Sequence, residues 1–225
     1  MLVDSSIKPE IPSWLGLGCQ DATELSTGTT LVAMAYKDGV VLAADSRTST
    51  GTFVAVRVTD KLTPVTSHIM VCRSGSAADT QAMTDAVKNQ LEWYEIEFGQ
   101  PPPVHTAAHL FKNIGYEYRD QFSAGLIVGG WDKEKGGQVY SVCIFPQMLG
   151  LKSFALLGFF LLQVPIGGAL VRQNVSIGGS GSTFLYGYVD AHYKKDMSKE
   201  ECIELAKTCV TLAINRDGSS GGCVR

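Results

Sequence analysis

Gly28-Thr29-Thr30-Leu31-Val32-Ala33-Met34-Ala35-Tyr36-Lys37-Asp38-Gly39-Val40-Val41-Leu42-Ala43-Ala44-Asp45-Ser46 contains two apolar, β-prone runs, residues 30–37 and 40–46, joined at Asp38-Gly39. An Asp-Gly pair between such runs is a strong two-residue hairpin signal. The hairpin returns residues 45–48 to the neighbourhood of residues 29–32. Outward from it, residues 61–66 and 68–73 read as a second strand pair, and Ser74-Gly75-Ser76 leads into a helix. Met83, Val87, Leu91 and Tyr94 recur there at helical spacing. Gln100-Pro101-Pro102-Pro103 breaks the chain before a second helix with Ala107, Leu110, Phe111, Ile114 and Tyr118 on one face. Residues 124–130 and 138–142 read as strands around a polar turn at 133–137. Residues 175–179 suggest another strand, and the glycines from 178 to 181 a tight turn into a helix. Ser198 with Glu201 three later forms a capping box, opening a last helix that ends near Asp217-Gly218. This order predicts an α+β fold of layered sheets and helices, not a βαβ parallel array.

A chain of 225 residues with 45% hydrophobic content can bury one sizeable core, and one domain is the default. The net charge of −3 and the absence of a basic run give no electrostatic case for nucleic acid. Six scattered cysteines without a C-x-x-C pair read as reduced thiols, with Cys202 and Cys209 on one buried helix face. No metal cluster, phosphate loop or nucleotide fingerprint is visible, so neither metal nor cofactor is expected. The longest apolar run, Ser153 to Leu162, is about half of the ~20 residues a membrane helix needs. Residues 1–20 lack a secretory pattern, and their Pro, Ser and Gly make them read as a removable or loosely ordered segment.

Gly28-Thr29-Thr30 carries the chemical interest. A threonine hydroxyl is a poor nucleophile at neutral pH and needs a base. Cutting the bond before Thr29 gives that residue a free α-amine, whose ordinary pKa of roughly 7.7–8.0 suits it to take the hydroxyl proton. Glycine at 28 leaves the preceding carbonyl open to attack by the Thr29 hydroxyl. Asp45, at the end of the returning strand, and Lys61, before the next one, are the charges that could tune such a site: a lysine favours the neutral amine, and an aspartate holds the lysine charged and aimed. Gly75 stands at a strand-to-helix turn, where an exposed N–H makes a sound oxyanion donor. Singly, each residue has an ordinary reading as strand start, strand cap, surface charge or turn glycine; the joint order changes the odds.

Thr29-Thr30, Gly39-Val40-Val41-Leu42, Ala44-Asp45-Ser46-Arg47, Asp60-Lys61, and Ser74-Gly75-Ser76-Ala77-Ala78-Asp79 together resemble a proteasome beta subunit. Gly178-Gly179-Ser180-Gly181-Ser182, Tyr186-Gly187 and Arg216-Asp217-Gly218-Ser219-Ser220-Gly221-Gly222 complete the pattern, which covers residues 29–225 apart from one segment. The resemblance implies the four-layer αββα sandwich of N-terminal-nucleophile hydrolases, built on two antiparallel sheets. It implies Thr29 as nucleophile, Asp45 and Lys61 as charge partners, and Gly75 as oxyanion donor. Ser180, Asp217 and Ser220 then form the hydrogen-bond network around the terminal amine. Residues 1–28 become a propeptide cut at Gly28-Thr29. The implied partners are other alpha and beta subunits in stacked seven-membered rings, with unfolded polypeptides as substrates, no membrane and no nucleic acid. The implied location is cytoplasm and nucleus. Arg73, two residues before Gly75, resembles the pocket arginine of the beta-1-type, caspase-like branch, and a guanidinium there favours substrates with acidic side chains. Thr48 and Thr59 are the further substrate-binding candidates.

Two departures accompany the match. Val142 to Gln163 has no counterpart in similar subunits, where the strand leads directly to a turn like Val164-Pro165-Ile166-Gly167-Gly168. A retained intron is one expectation, since Val142-Cys143 can be encoded by a splice-donor sequence and Phe159 to Gln163 by a pyrimidine tract ending in an acceptor; the alternative is a real loop that contacts a partner subunit. Such an apolar insertion is expected to disturb strand pairing or expose apolar surface. The family also continues with a further strand beyond Arg225, so a truncated C-terminus is expected. The alternatives are a non-catalytic structural subunit, a mis-spliced product without function, and a different N-terminal-nucleophile amidase.

Overall fold

Among the described residues every strand pairs antiparallel, and the strands form two main sheets and one small hairpin. The structure, a computed structural model, describes residues 28–50, 53–144 and 170–225. The first sheet has the order β10 (Val175–Gly178), β1 (Leu31–Tyr36), β2 (Gly39–Ala44). The second has five strands, in the order β5 (Leu62–Pro64), β6 (Ile69–Gly75), β7 (Ala124–Asp132), β8 (Gly136–Ile144), β9 (Val171–Gln173). β3 (Thr48–Thr50) and β4 (Phe53–Val56) make the separate hairpin.

β1 explains the layering. Leu31, Val32, Ala33 and Met34 are all fully buried, so this strand is covered on both faces. Alternate side chains point to opposite faces of a strand. Val32 and Met34 join a core with Leu205, Cys209, Val210 and Ala213 of α4 (Lys199–Arg216) and with Val189 of α3 (Tyr186–His192). Leu31 and Ala33 meet Cys72, Ile127 and Val139 of the second sheet. That sheet's other face, with Val71, Leu126, Val128 and Val142, packs on α1 (Ala77–Phe98) and α2 (Val104–Glu117) through Met83, Val87, Leu91, Ala107 and Phe111.

Helix boundaries follow the local chemistry. Ser76 caps α1 by accepting from the Asp79 N–H, and Gly99, with φ +63°, ends it. The box predicted at Ser198 and Glu201 is made in both directions. Tyr94, predicted on the buried face of α1, is only half-buried and lies against Phe98 at 4.5 Å between ring centroids. The first hairpin turns one residue earlier than the Asp38-Gly39 signal: Gly39 already pairs with Tyr36, leaving Lys37-Asp38 as the loop. Neither loop residue has a positive φ, so the mirror-image turn that Asp-Gly favours is not used.

β8 is longer than the predicted 138–142. Val142, Cys143 and Ile144 continue the pairing opposite Leu126, Gly125 and Ala124, and Val142 and Ile144 are buried. The first three residues of the atypical segment therefore extend a strand and do not break its pairing. Residues 145–163 and the segment 1–27 lie outside the described residues. At the other end, Arg225 exchanges both backbone hydrogen bonds with Ala44, each 2.9 Å, so the chain there pairs alongside the end of β2.

Candidate active site

Residues 29 and 30 enter β1 between its two neighbours, and this fixes what surrounds them. Leu31 pairs with Ala44 on one side and Gly178 on the other. The residues just past those strands, Asp45 and Ser180, therefore flank Thr29 and Thr30. The Asp45 N–H donates to the Thr30 carbonyl at 3.2 Å, and the Thr30 N–H donates to Asp45 Oδ1 at 2.9 Å. The Ser180 hydroxyl accepts from the Thr29 N–H at 3.2 Å, and the Gly181 N–H donates to the Thr29 carbonyl at 3.2 Å. Gly179 permits that approach. Its φ is +80°, and a Cβ there would fall 2.1 Å from the Thr29 carbonyl oxygen.

Lys61 reaches in from the second sheet, just before β5. Its Nζ donates to Thr29 Oγ1 at 3.1 Å, to the Gly28 carbonyl at 3.2 Å and to Asp45 Oδ1 at 2.7 Å. The ammonium's three donors thus match three acceptors. Lys61 and Asp45 are both buried. Burial pushes the Lys61 pKa below its ordinary value, and the charge and hydrogen bond of Asp45, with the charge of Asp217, oppose that shift. Asp45 Oδ2 in turn accepts the Arg47 N–H at 3.2 Å and the Gly221 N–H at 3.1 Å. All of its lone pairs are directed, which fixes the carboxylate that orients the lysine.

A second carboxylate stands on the other side of Thr29. Asp217 Oδ2 accepts from Ser180 Oγ at 2.7 Å and Ser220 Oγ at 2.6 Å, and Oδ1 accepts the Ser219 N–H at 3.0 Å. Ser220 Oγ also lies 2.8 Å from Thr30 Oγ1. The chain Asp217–Ser180–Thr29 N is a continuous hydrogen-bonded path to the nitrogen that becomes an amine if the Gly28–Thr29 bond is cut. The arrangement can hold a hydroxyl, the carbonyl before it and a proton carrier within hydrogen-bonding range of one another.

Thr29, Asp45, Lys61, Ser180, Asp217 and Ser220 thus converge from positions up to 191 residues apart (29 and 220). Arg73 lies one strand away: its N–H donates to the Lys61 carbonyl at 2.9 Å and its Nη2 to the Asp60 carbonyl at 3.2 Å. Its Nε is buried without a hydrogen-bond partner. Gly75 closes β6 opposite Ala124 with φ +95°, where a Cβ would fall 2.5 Å from the Ser123 carbonyl oxygen, so only glycine fits. Thr48 and Thr59 meet each other, hydroxyl to hydroxyl, at 2.8 Å, and the Thr59 N–H donates to the Ser46 carbonyl at 2.7 Å.

Sequence reasoning missed Thr30, Arg47 and Gly221, whose backbone N–H groups all anchor Asp45. It also missed Ser219, which packs against Gly28 so closely that a Cβ on Gly28 would fall 1.8 Å from Ser219 Cβ. The signal for the last two was the Asp217-to-Gly222 run itself, whose small residues allow a backbone to close over another. Among the described residues, no group of three or more His, Cys, Asp or Glu converges as a metal set, and no helix is long and apolar enough to cross a membrane.

The model for the proteasome subunit family matches residues 25–160 and 156–225, two stretches that meet inside the atypical segment. The chain therefore belongs to the proteasome subunit family. Within it, the similar proteins are beta subunits. A probable proteasome subunit beta type-1 of Schizosaccharomyces pombe is 48% identical over 90% of this chain and 80% of its own length. Proteasome subunit beta type-1 of Saccharomyces cerevisiae is 45% identical over 90% and 83%. Proteasome subunit beta type-6 of Dictyostelium discoideum is 44% identical over 96% and 88%.

Proposed function

We propose that this beta subunit is a threonine-type endopeptidase that releases its own nucleophile by cutting Gly28–Thr29 and then cleaves peptides after acidic residues. The observation that carries the reading is the position of Lys61 Nζ, within 3.2 Å of both the Thr29 hydroxyl and the Gly28 carbonyl. In the uncut chain the Thr29 nitrogen is an amide and cannot act as base. Lys61 in its neutral form takes the Thr29 hydroxyl proton, and Oγ1 bonds to the Gly28 carbonyl carbon. The C–N bond breaks, the proton passes to the leaving nitrogen, and an ester joins Gly28 to Thr29 Oγ1. Water hydrolyses the ester, giving a Gly28 carboxylate, the free hydroxyl and the terminal amine. In the mature site that amine takes over as base, steadied through Ser180 by Asp217 and Ser220, with the Gly75 N–H as oxyanion donor.

The orphaned Arg73 Nε supports the acidic preference, because a substrate carboxylate would supply a buried donor with its missing acceptor. Thr48 and Thr59, whose hydroxyls pair at 2.8 Å, are the further substrate-binding residues of this reading. The three core clusters support the four-layer αββα sandwich. The work is done inside the core particle, among alpha and beta subunits in stacked rings, on unfolded polypeptides in cytoplasm and nucleus. The test is N-terminal sequencing of the particle-bound chain beside its Thr29→Ala variant. A mature chain starting at Thr29, with an uncut and inactive variant, is the expected result. An uncut wild-type chain in active particles would assign it a structural role.

A further inference from the structure

We infer that His105 and His109 of α2 form a two-nitrogen site for a divalent transition-metal ion of the Ni2+, Cu2+ or Zn2+ class, away from the threonine site. Residues four apart share one face of a helix, and here both imidazoles converge through the same atom, with Nε2 to Nε2 at 3.0 Å. Both rings are half-buried, so water and ions reach them.

The two Nε2 atoms share a hydrogen bond whose donor depends on the tautomers, with the ring centroids 4.2 Å apart and the planes at 61°; a bound ion would take the place of the shared proton. A metal about 2.05 Å from each nitrogen at the observed spacing subtends an angle of about 94°. That is the angle between neighbouring ligands in square-planar or octahedral geometry, which Ni2+ and Cu2+ adopt and which Zn2+ tolerates.

The surroundings fit this donor set and set its limit. His105 is held edge-on against Tyr140, centroids 5.9 Å apart. The Tyr140 hydroxyl donates to Gln138 Oε1 at 2.7 Å, and Gln138 Nε2 donates to Asp132. The Asp132 carboxylate brings negative charge to His105, but it is also occupied by the Lys135 N–H at 2.7 Å. It supplies field and not a ligand, and the nearby Lys135 charge opposes it. The remaining coordination positions go to water, so the site binds the free ion reversibly.

The test is isothermal titration of the full chain with Ni2+ in a thiol-free reductant, beside His105→Gln, His109→Gln, and the controls His68→Gln and His192→Gln. One ion per chain is expected, with each of the first two variants weakened about tenfold or more and the controls unchanged. Paramagnetic broadening of the His105, His109 and Tyr140 ring signals reads the same site in the wild-type chain, without depending on how a variant folds. No binding by the wild type, equal binding by His109→Gln, or broadening centred elsewhere overturns the assignment.

Discussion

Replacing Gly28 by alanine tests how the bond before Thr29 is positioned. The new Cβ would fall 1.8 Å from Ser219 Cβ and 2.6 Å from the Ser219 carbonyl carbon and oxygen, where ordinary contact begins at 3.4 Å. Reaching ordinary contact therefore needs a movement of about 0.8–1.6 Å, part of it away from backbone that no rotamer change can clear. The Gly28 carbonyl moves with its own Cα. Its contact with Lys61 is already 3.2 Å and does not survive a displacement of that size. A misplacement on the order of 1 Å lowers the rate of a positioned reaction about 100-fold. Self-cleavage of Gly28→Ala is expected to slow by about that factor, read by intact-mass spectrometry over a time course of assembly. A chain produced with Thr29 already at its terminus no longer contains residue 28 and should show wild-type peptide cleavage. Maturation of Gly28→Ala at the wild-type rate would refute the idea that Ser219 confines the cleaved bond.

Asp45→Asn should destabilise the fold by about 3–5 kcal/mol in chemical denaturation, because Asp45 accepts from Lys61, Thr30, Arg47 and Gly221 in a buried setting and an amide cannot accept them all. Self-cleavage should speed up as pH rises toward the depressed Lys61 pKa and level off above it, since only the neutral amine takes the Thr29 proton. The sign for stability is the same: the unfolded lysine holds its proton up to 10.5 and the buried one releases it earlier, so its destabilising effect fades as pH rises through that window. A fall in cleavage rate over that range would contradict a lysine base. Arg73→Ala should lower kcat/KM for peptides with an acidic residue before the cut by about 10- to 100-fold, and leave peptides with apolar residues there within a few-fold.

The sequence made the central hairpin and the helices legible because their signals are local. Ser76 and Ser198 cap the helices they precede, and the apolar residues of α1 and α2 recur at the spacing that buries them. What it hid were features decided by partners far along the chain. The first turn shifted to Lys37-Asp38 because the register of β1 against β2 sets Gly39 opposite Tyr36, and two buried faces outweigh a turn preference. β9 and the β3–β4 hairpin are strands of three or four residues, too short to carry a periodic pattern. β8 ran on through Ile144 because Ala124 and Gly125 continue β7 beside it.

For the site the division falls along backbone and side chain. Thr29, Asp45 and Lys61 were readable as a candidate set because a threonine hydroxyl, to act as a nucleophile, needs a base and a charge to tune it. The hairpin alone argued that residue 45 returns to residue 29. Nothing in the local sequence brings Lys61, Ser180 or Asp217 there. Packing of the two sheets delivers Lys61 from the second sheet, and β10 delivers Ser180 as the far neighbour of β1. The residues missed were those acting through main-chain N–H groups or through the lack of a side chain, such as the Gly221 N–H on Asp45 and Ser219 over Gly28. Such contacts leave little trace in residue type beyond small size. Yet they decide whether a threonine hydroxyl 3.1 Å from a lysine faces the carbonyl on its own N-terminal side or empty space. Gly28 is therefore where a single substitution should separate maturation from peptide cleavage, since it leaves the mature site when the bond is cut.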